Sequence, residues 1–126
     1  MIKCFSLAIL SLYSAISFAH DESYYSVHPK ELLQAFNKCP GHQTTTLSCE
    51  QLKPIALRLN TLAYELRFDP QGYGQKILDL QESIAAINLT SQHNTLPNES
   101  QSVLNVNTKN LNERLAIVKW LESPVS

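Results

Sequence analysis

Apolar residues recur at helical spacing along most of the chain. Leu52, Ile55, Leu59, Leu62 and Leu66 follow one another at intervals of 3-4-3-4. They lie behind Ser48-Cys49-Glu50-Gln51, a capping box in which Ser and Gln satisfy each other's backbone N–H. Pro54 falls early enough in this helix to be tolerated with at most a kink. The helix closes near Phe68, and Asp69-Pro70 restarts the chain with an N-cap and a first-turn proline. Tyr73, Ile77, Leu80, Ile84 and Ile87 then repeat at 4-3-4-3, so a second long helix should fold back on the first. Gly72 and Gly74 weaken its first turn, or else allow a close approach. Thr90 to Glu99 is polar, contains Pro97 and reads as a loop. From Ser100 to Glu122 the residues Leu104, Leu111, Leu115, Val118 and Leu121 share a face, with Val103 and Ile117 beside it.

Ahead of these, Pro29 opens a short helix over Lys30–Lys38 carrying Leu32, Leu33 and Phe36. It ends at the Cys39-Pro40-Gly41 turn. His20 to Val27 reads as an extended arm. No stretch keeps strand alternation. Three helices of about 20 residues each carry one apolar stripe, which none can bury alone. The pattern predicts an all-α fold, an antiparallel three-helix bundle running up-down-up. A short N-terminal helix should be clamped in front of it by a disulfide.

The first 19 residues stand apart. Met1-Ile2-Lys3 carries one positive charge, Phe5 to Ile16 is apolar, and Ser17-Phe18-Ala19 is a small–x–small cleavage site. These are the parts of a secretory signal peptide. The apolar run is shorter than the ~20 residues of a membrane-spanning helix, and Cys4 lies too early for lipoprotein cleavage. Residues 1–19 are therefore expected to be a signal peptide, and 20–126 a single helical domain of an exported protein, periplasmic or secreted. Cys39 and Cys49 are then the two remaining cysteines, separated by a Pro-Gly turn. An oxidising compartment favours their pairing. The closed loop should contribute about 2.5–3 kcal/mol. A metal site with His42 is the rival reading, but it lacks paired zinc-ligand spacing.

The chain has 126 residues, 10 Lys+Arg, 11 Asp+Glu and three Gly. The balanced charge argues against a nucleic-acid binder, and the few glycines against a Gly-rich nucleotide site. Loss of Lys3 with the leader leaves nine basic residues against 11 acidic, net −2. No motif calls for a cofactor or a metal. His20 would become the terminal residue and could chelate copper, but nothing directs His28, His42 or His93 towards it. Asp79, Glu82 and Glu65 could form an acid–base group, although their polar surroundings favour a solvated face.

Two surfaces suit binding better. Arg58, Lys76, Lys109 and Arg114 come from three helices and fall at similar heights if the chain folds back at Asp69 and near Thr95. They would form an anion-binding patch for a lipid phosphate headgroup or a sulfated glycan. Leu57, Tyr64 and Phe68 lie away from the main stripe of their helix, and Trp120 away from that of the last helix, which makes an apolar patch. The arm and short helix, through Tyr24, Tyr25, Leu33 and Phe36, are expected to cover the first three.

Cys39-Pro40, followed by Ser48-Cys49-Glu50-Gln51-Leu52 and by Asp69-Pro70-Gln71-Gly72-Tyr73-Gly74 through Gln81, resembles small secreted helical proteins of the Legionella type. That resemblance implies a cell-envelope protein or a type II secretion substrate acting at a host interface. It transfers no site residues. The expected function is non-enzymatic binding by a secreted, virulence-associated protein through a basic or an apolar patch. A small hydrolase or metal-dependent enzyme with an unfamiliar site is the alternative, and a pocket of converging titratable groups would favour it.

Overall fold

The computed structural model describes residues 21–41 and 47–123. Among these, all regular structure is helical. It comprises α1 (Glu22–Ser26), α2 (Pro29–Asn37), α3 (Cys49–Phe68), α4 (Pro70–Ser91) and α5 (Asn98–Glu122). No helix among the described residues is long and apolar enough to cross a membrane. Residues 1–20, which include the expected leader and His20, lie outside the described residues, as does His42.

The helix starts follow local chemistry. The Ser48 hydroxyl accepts from Gln51 N–H and the Gln51 side chain accepts from Ser48 N–H, so both halves of the capping box are present. Asp69 caps α4 through Gly72 N–H at 3.0 Å, with Pro70 behind it. A Cβ at Gly72 would lie 2.1 Å from Asp69 Oδ2, so a side chain there would displace the capping carboxylate. Gly74 has nothing within 4 Å of its Cβ position, so it makes no close approach. Helix α3 continues through Pro54.

The expected arm over 20–27 is corrected from Asp21 onward. Asp21 Oδ1 accepts from Tyr24 N–H at 2.9 Å and starts the one-turn helix α1. Tyr25 is drawn into the core, where it is 2% exposed. The hydroxyl of Tyr24 donates to Glu31 of α2, and its ring stacks on His28 with centroids 3.8 Å apart. A local cap and aromatic burial thus fold a segment too short to show a period.

Tyr25, Leu32, Leu52, Leu59, Leu62, Tyr73 and Ile117 form the core, with Ala35 and Ala63 filling between them. Cys39 and Cys49 are bonded, which fixes the end of α2 to the first residue of α3. The most extensive helix–helix contact is α4 on α5, followed by α2 on α3. Tyr73 meets Arg114 and Ser83 meets Asn107, so α4 and α5 run antiparallel. Helix α3 touches all four others.

The apolar stripe of α5 is only partly its buried face: Leu104, Leu111, Val118 and Leu121 are half-buried, the last two against the core. Leu115 and Val103 are exposed, while Glu113, Arg114 and Ile117 are buried. Apolar spacing alone misses this, because the two inward charges are held by ion partners on α3.

Candidate functional site

Two glutamates organise the four candidate cations. Glu65 on α3 receives Lys76 Nζ at 2.6 Å from α4. It also receives both terminal nitrogens of Arg114 at 3.3 Å from α5, one on each carboxylate oxygen. That fork–fork geometry is specific to Arg. The guanidinium of Arg114 lies over the Tyr73 ring, 4.8 Å from its centroid, and the Tyr73 hydroxyl donates to the Arg114 carbonyl at 2.8 Å. Burial pushes the Tyr73 hydroxyl up to about 12, against an opposing pull from Arg114. The Lys76 hydrogen bond, aided by Arg114, holds the Glu65 carboxyl below its ordinary range despite partial burial. A carboxyl held ionised in this way is a poor general acid.

Glu113 on α5 is the second centre. Its side chain is 6% exposed and accepts from Arg58 Nε at 3.1 Å, with Lys109 Nζ 4.0 Å away. Arg58 also reaches Asn110 Oδ1 at 3.5 Å. Arg58, Lys76 and Lys109 keep large exposed fractions. Arg114 does not: it is a buried cross-brace between three helices, not a surface residue.

Arg58, Lys76 and Arg114 line one cleft of about 350 Å³ between α3, α4 and α5. Its wall also carries Ser83, Asn107 and Asn110. Asn107 Nδ2 donates to Ser83 Oγ at 2.8 Å, which leaves the hydroxyl proton for another acceptor. Asn110 uses its oxygen on Arg58, so its amide protons are available. Asp79 is a carboxylate in this wall, with one oxygen engaged by Gln75 at 2.9 Å. Lys109 lies outside this cleft, on the far side of Arg58.

The apolar candidates separate. Leu57, Tyr64 and Phe68 stay 57%, 60% and 74% exposed, and the rings of Tyr64 and Phe68 stack at 4.4 Å. The expected cover does not form. Tyr25 and Leu32 carry α1 and α2 onto the core side of α3, where Tyr24 and Phe36 also pack. Trp120 is half-buried against the core and is not part of that surface.

Of the carboxylates considered for acid–base work, Asp79 pairs with Gln75 and Glu65 is locked to cations, while Glu82 is exposed. No group of three or more metal-ligating side chains gathers among the described residues. Glu113 is the member that sequence reasoning missed. Its signal was the spacing Lys109-x-x-x-Glu113 on one helix face. No protein-family model, curated protein or solved structure matches the chain.

Proposed function

We propose that this chain is an exported, non-enzymatic binding protein that recognises an anionic group in the cleft between α3, α4 and α5. The observation that carries the reading is the convergence of Arg58, Lys76 and Arg114, from three helices, on one cleft furnished with Ser83, Asn107 and Asn110. The lining itself sets three cations against one carboxylate, Asp79, while Glu65 and Glu113 hold those cations from behind. Guanidinium, ammonium, hydroxyl and amide donors together suit the oxygens of a phosphate or sulfate ester. A volume near the lower end of small-molecule sites fits a headgroup or one sugar ring. The leader-like residues 1–19 and the Cys39–Cys49 bond support export, since such bonds persist in oxidising compartments. Together with the resemblance to secreted proteins, they support action at a host interface.

The test is a binding titration against vesicles carrying a phosphatidic acid headgroup and against a sulfated glycan, each at low and high salt. Arg114 is unsuited to substitution because it braces the fold, so the variant is Arg58→Gln with Lys76→Gln. Binding should weaken with salt and fall at least tenfold in the double variant, with the helical spectrum unchanged. The two arms separate a lipid source of the anion from a glycan source. Salt-insensitive binding that ignores both substitutions would remove the cleft from consideration and move the contact surface to Leu57, Tyr64 and Phe68.

A further inference from the structure

On the other side of Arg58 a second cleft, of about 490 Å³, opens between α1, α3 and α5. Pro54 and Ile55 contribute exposed apolar surface to it, over a floor of buried Leu59, Leu62 and Ile117. Its charged groups are two cations, Arg58 and Lys109, and two carboxylates, Glu22 and Glu113. The lining of the first cleft sets three cations against one carboxylate, whereas this lining is balanced.

Glu113 is the informative group. Its side chain is 6% exposed, and Oε2 accepts from Arg58 Nε. Among the described residues Oε1 accepts no hydrogen bond, and Lys109 Nζ stands 4.0 Å from it. Among the described residues no buried side-chain polar atom lacks a partner, so Oε1 is not sealed away. A mostly desolvated carboxylate with one oxygen that has a distant ion partner but no hydrogen bond strongly favours a charged donor. Lys109, 64% exposed on a flexible stem, offers a cation beside it.

We propose that this cleft binds a small zwitterion with an apolar side chain, in chemical terms a free apolar α-amino acid. The ligand's ammonium donates to Glu113 Oε1 and its carboxylate accepts from Lys109 Nζ. The side chain rests on Pro54 and Ile55, above the buried Leu59, Leu62 and Ile117. A simple anion would pair with the cations but face Glu113 and Glu22. A simple cation would face Arg58 and Lys109. In an α-amino acid the amine nitrogen and carboxyl carbon are about 2.5 Å apart, from the N–Cα and Cα–C bond lengths. Laid alongside Oε1 and Nζ, which stand 4.0 Å apart, that compact dipole can meet both. The cleft volume lies within the usual range for small-molecule sites. The inference does not rest on the anion cleft.

The experiment is calorimetric titration of the disulfide-bonded protein with L-leucine, with 4-methylpentanoate, which lacks the ammonium, and with 3-methylbutylamine, which lacks the carboxylate. Leucine should bind saturably and each analogue at least tenfold more weakly, as expected for losing a charge-assisted hydrogen bond. Glu113→Gln should abolish leucine binding but also endangers the fold. Lys109→Gln lies on the surface and should weaken leucine binding at least fivefold with the melting temperature unchanged. Lys76→Gln, in the other cleft, should leave leucine binding unaltered, which separates this inference from the anion reading. No saturable leucine binding, equal binding of all three compounds, or indifference to Lys109→Gln would each overturn it.

Discussion

Arg58 carries a positive charge in the middle of α3, and a substitution on a solvated helix face ordinarily costs little. Its side chain is 47% exposed, in keeping with such a face, but its Nε holds a carboxylate that is 6% exposed. The energetic consequence therefore lies in Glu113 and not in Arg58 itself. Arg58→Asp would set a second carboxylate against a nearly buried one and remove its closest donor. It should cost about 1–3 kcal/mol, after allowing for the solvent at Arg58 and the remaining cation at Lys109. Glu82→Lys, on an exposed stretch of α4, should stay within about 0.5 kcal/mol. Denaturant midpoints of the two variants decide this, and equal small effects would show that the Glu113 pairing contributes nothing to stability. The identities of the four cations were legible as residue types. Their partners were not, because Arg58 and Glu113 lie 55 positions apart and Arg114 and Glu65 lie 49 apart. No local spacing reports such a pair.

At the scale of the element, starts and stops were the most legible features. The Ser48–Gln51 box, the Asp69 cap and the Pro29 and Pro70 first turns act through backbone groups two or three residues away, and all are present. Helix α1 was not legible, since five residues cannot display a 3.6-residue period and its stability comes from Tyr25 entering a core built by distant helices. The face of α5 was legible only in part, for the opposite reason. A long apolar period exists there, but Glu113 and Arg114 occupy the inward side with ion partners. The cap chemistry of α4 gives a paired prediction. Asp69→Ala removes an acceptor for Gly72 N–H and should cost about 1 kcal/mol. Gly74→Ala enters open space in a helical turn and should stabilise by about 0.5–1 kcal/mol. Thermal unfolding should move in opposite directions for the two variants, and a loss from Gly74→Ala would contradict the open environment described for it.

Across the whole molecule, the all-helical class and the Cys39–Cys49 bond followed from the pattern. Which helices pair most closely did not. The apolar stripes of α3, α4 and α5 are alike in strength, and the closest pairing, α4 with α5, is keyed by polar contacts such as Asn107 to Ser83 and Tyr73 to Arg114. Helix α3 is left with one side to solvent, where Leu57, Tyr64 and Phe68 lie. Export gives a test at this scale. The exported protein should begin at His20, and its non-reduced mass should be two hydrogens below that of the reduced form. An intact Met1, or two free thiols after export, would contradict the proposal of a secreted, stapled domain.

The most direct measurement of the anion cleft is a nitrogen-15 NMR titration of the disulfide-bonded protein with inorganic phosphate at low ionic strength. The side-chain amides of Asn107 and Asn110 stand in the cleft wall beside Arg58 and Arg114 and report directly on an oxyanion placed among them. The account expects saturable shifts confined to those amides and to backbone positions near Arg58, Lys76, Ser83 and Arg114, suppressed by added salt and lost in the Arg58→Gln, Lys76→Gln variant. Unmoved Asn107 and Asn110 signals, or shifts scattered over the exposed lysines of all helices, would contradict it.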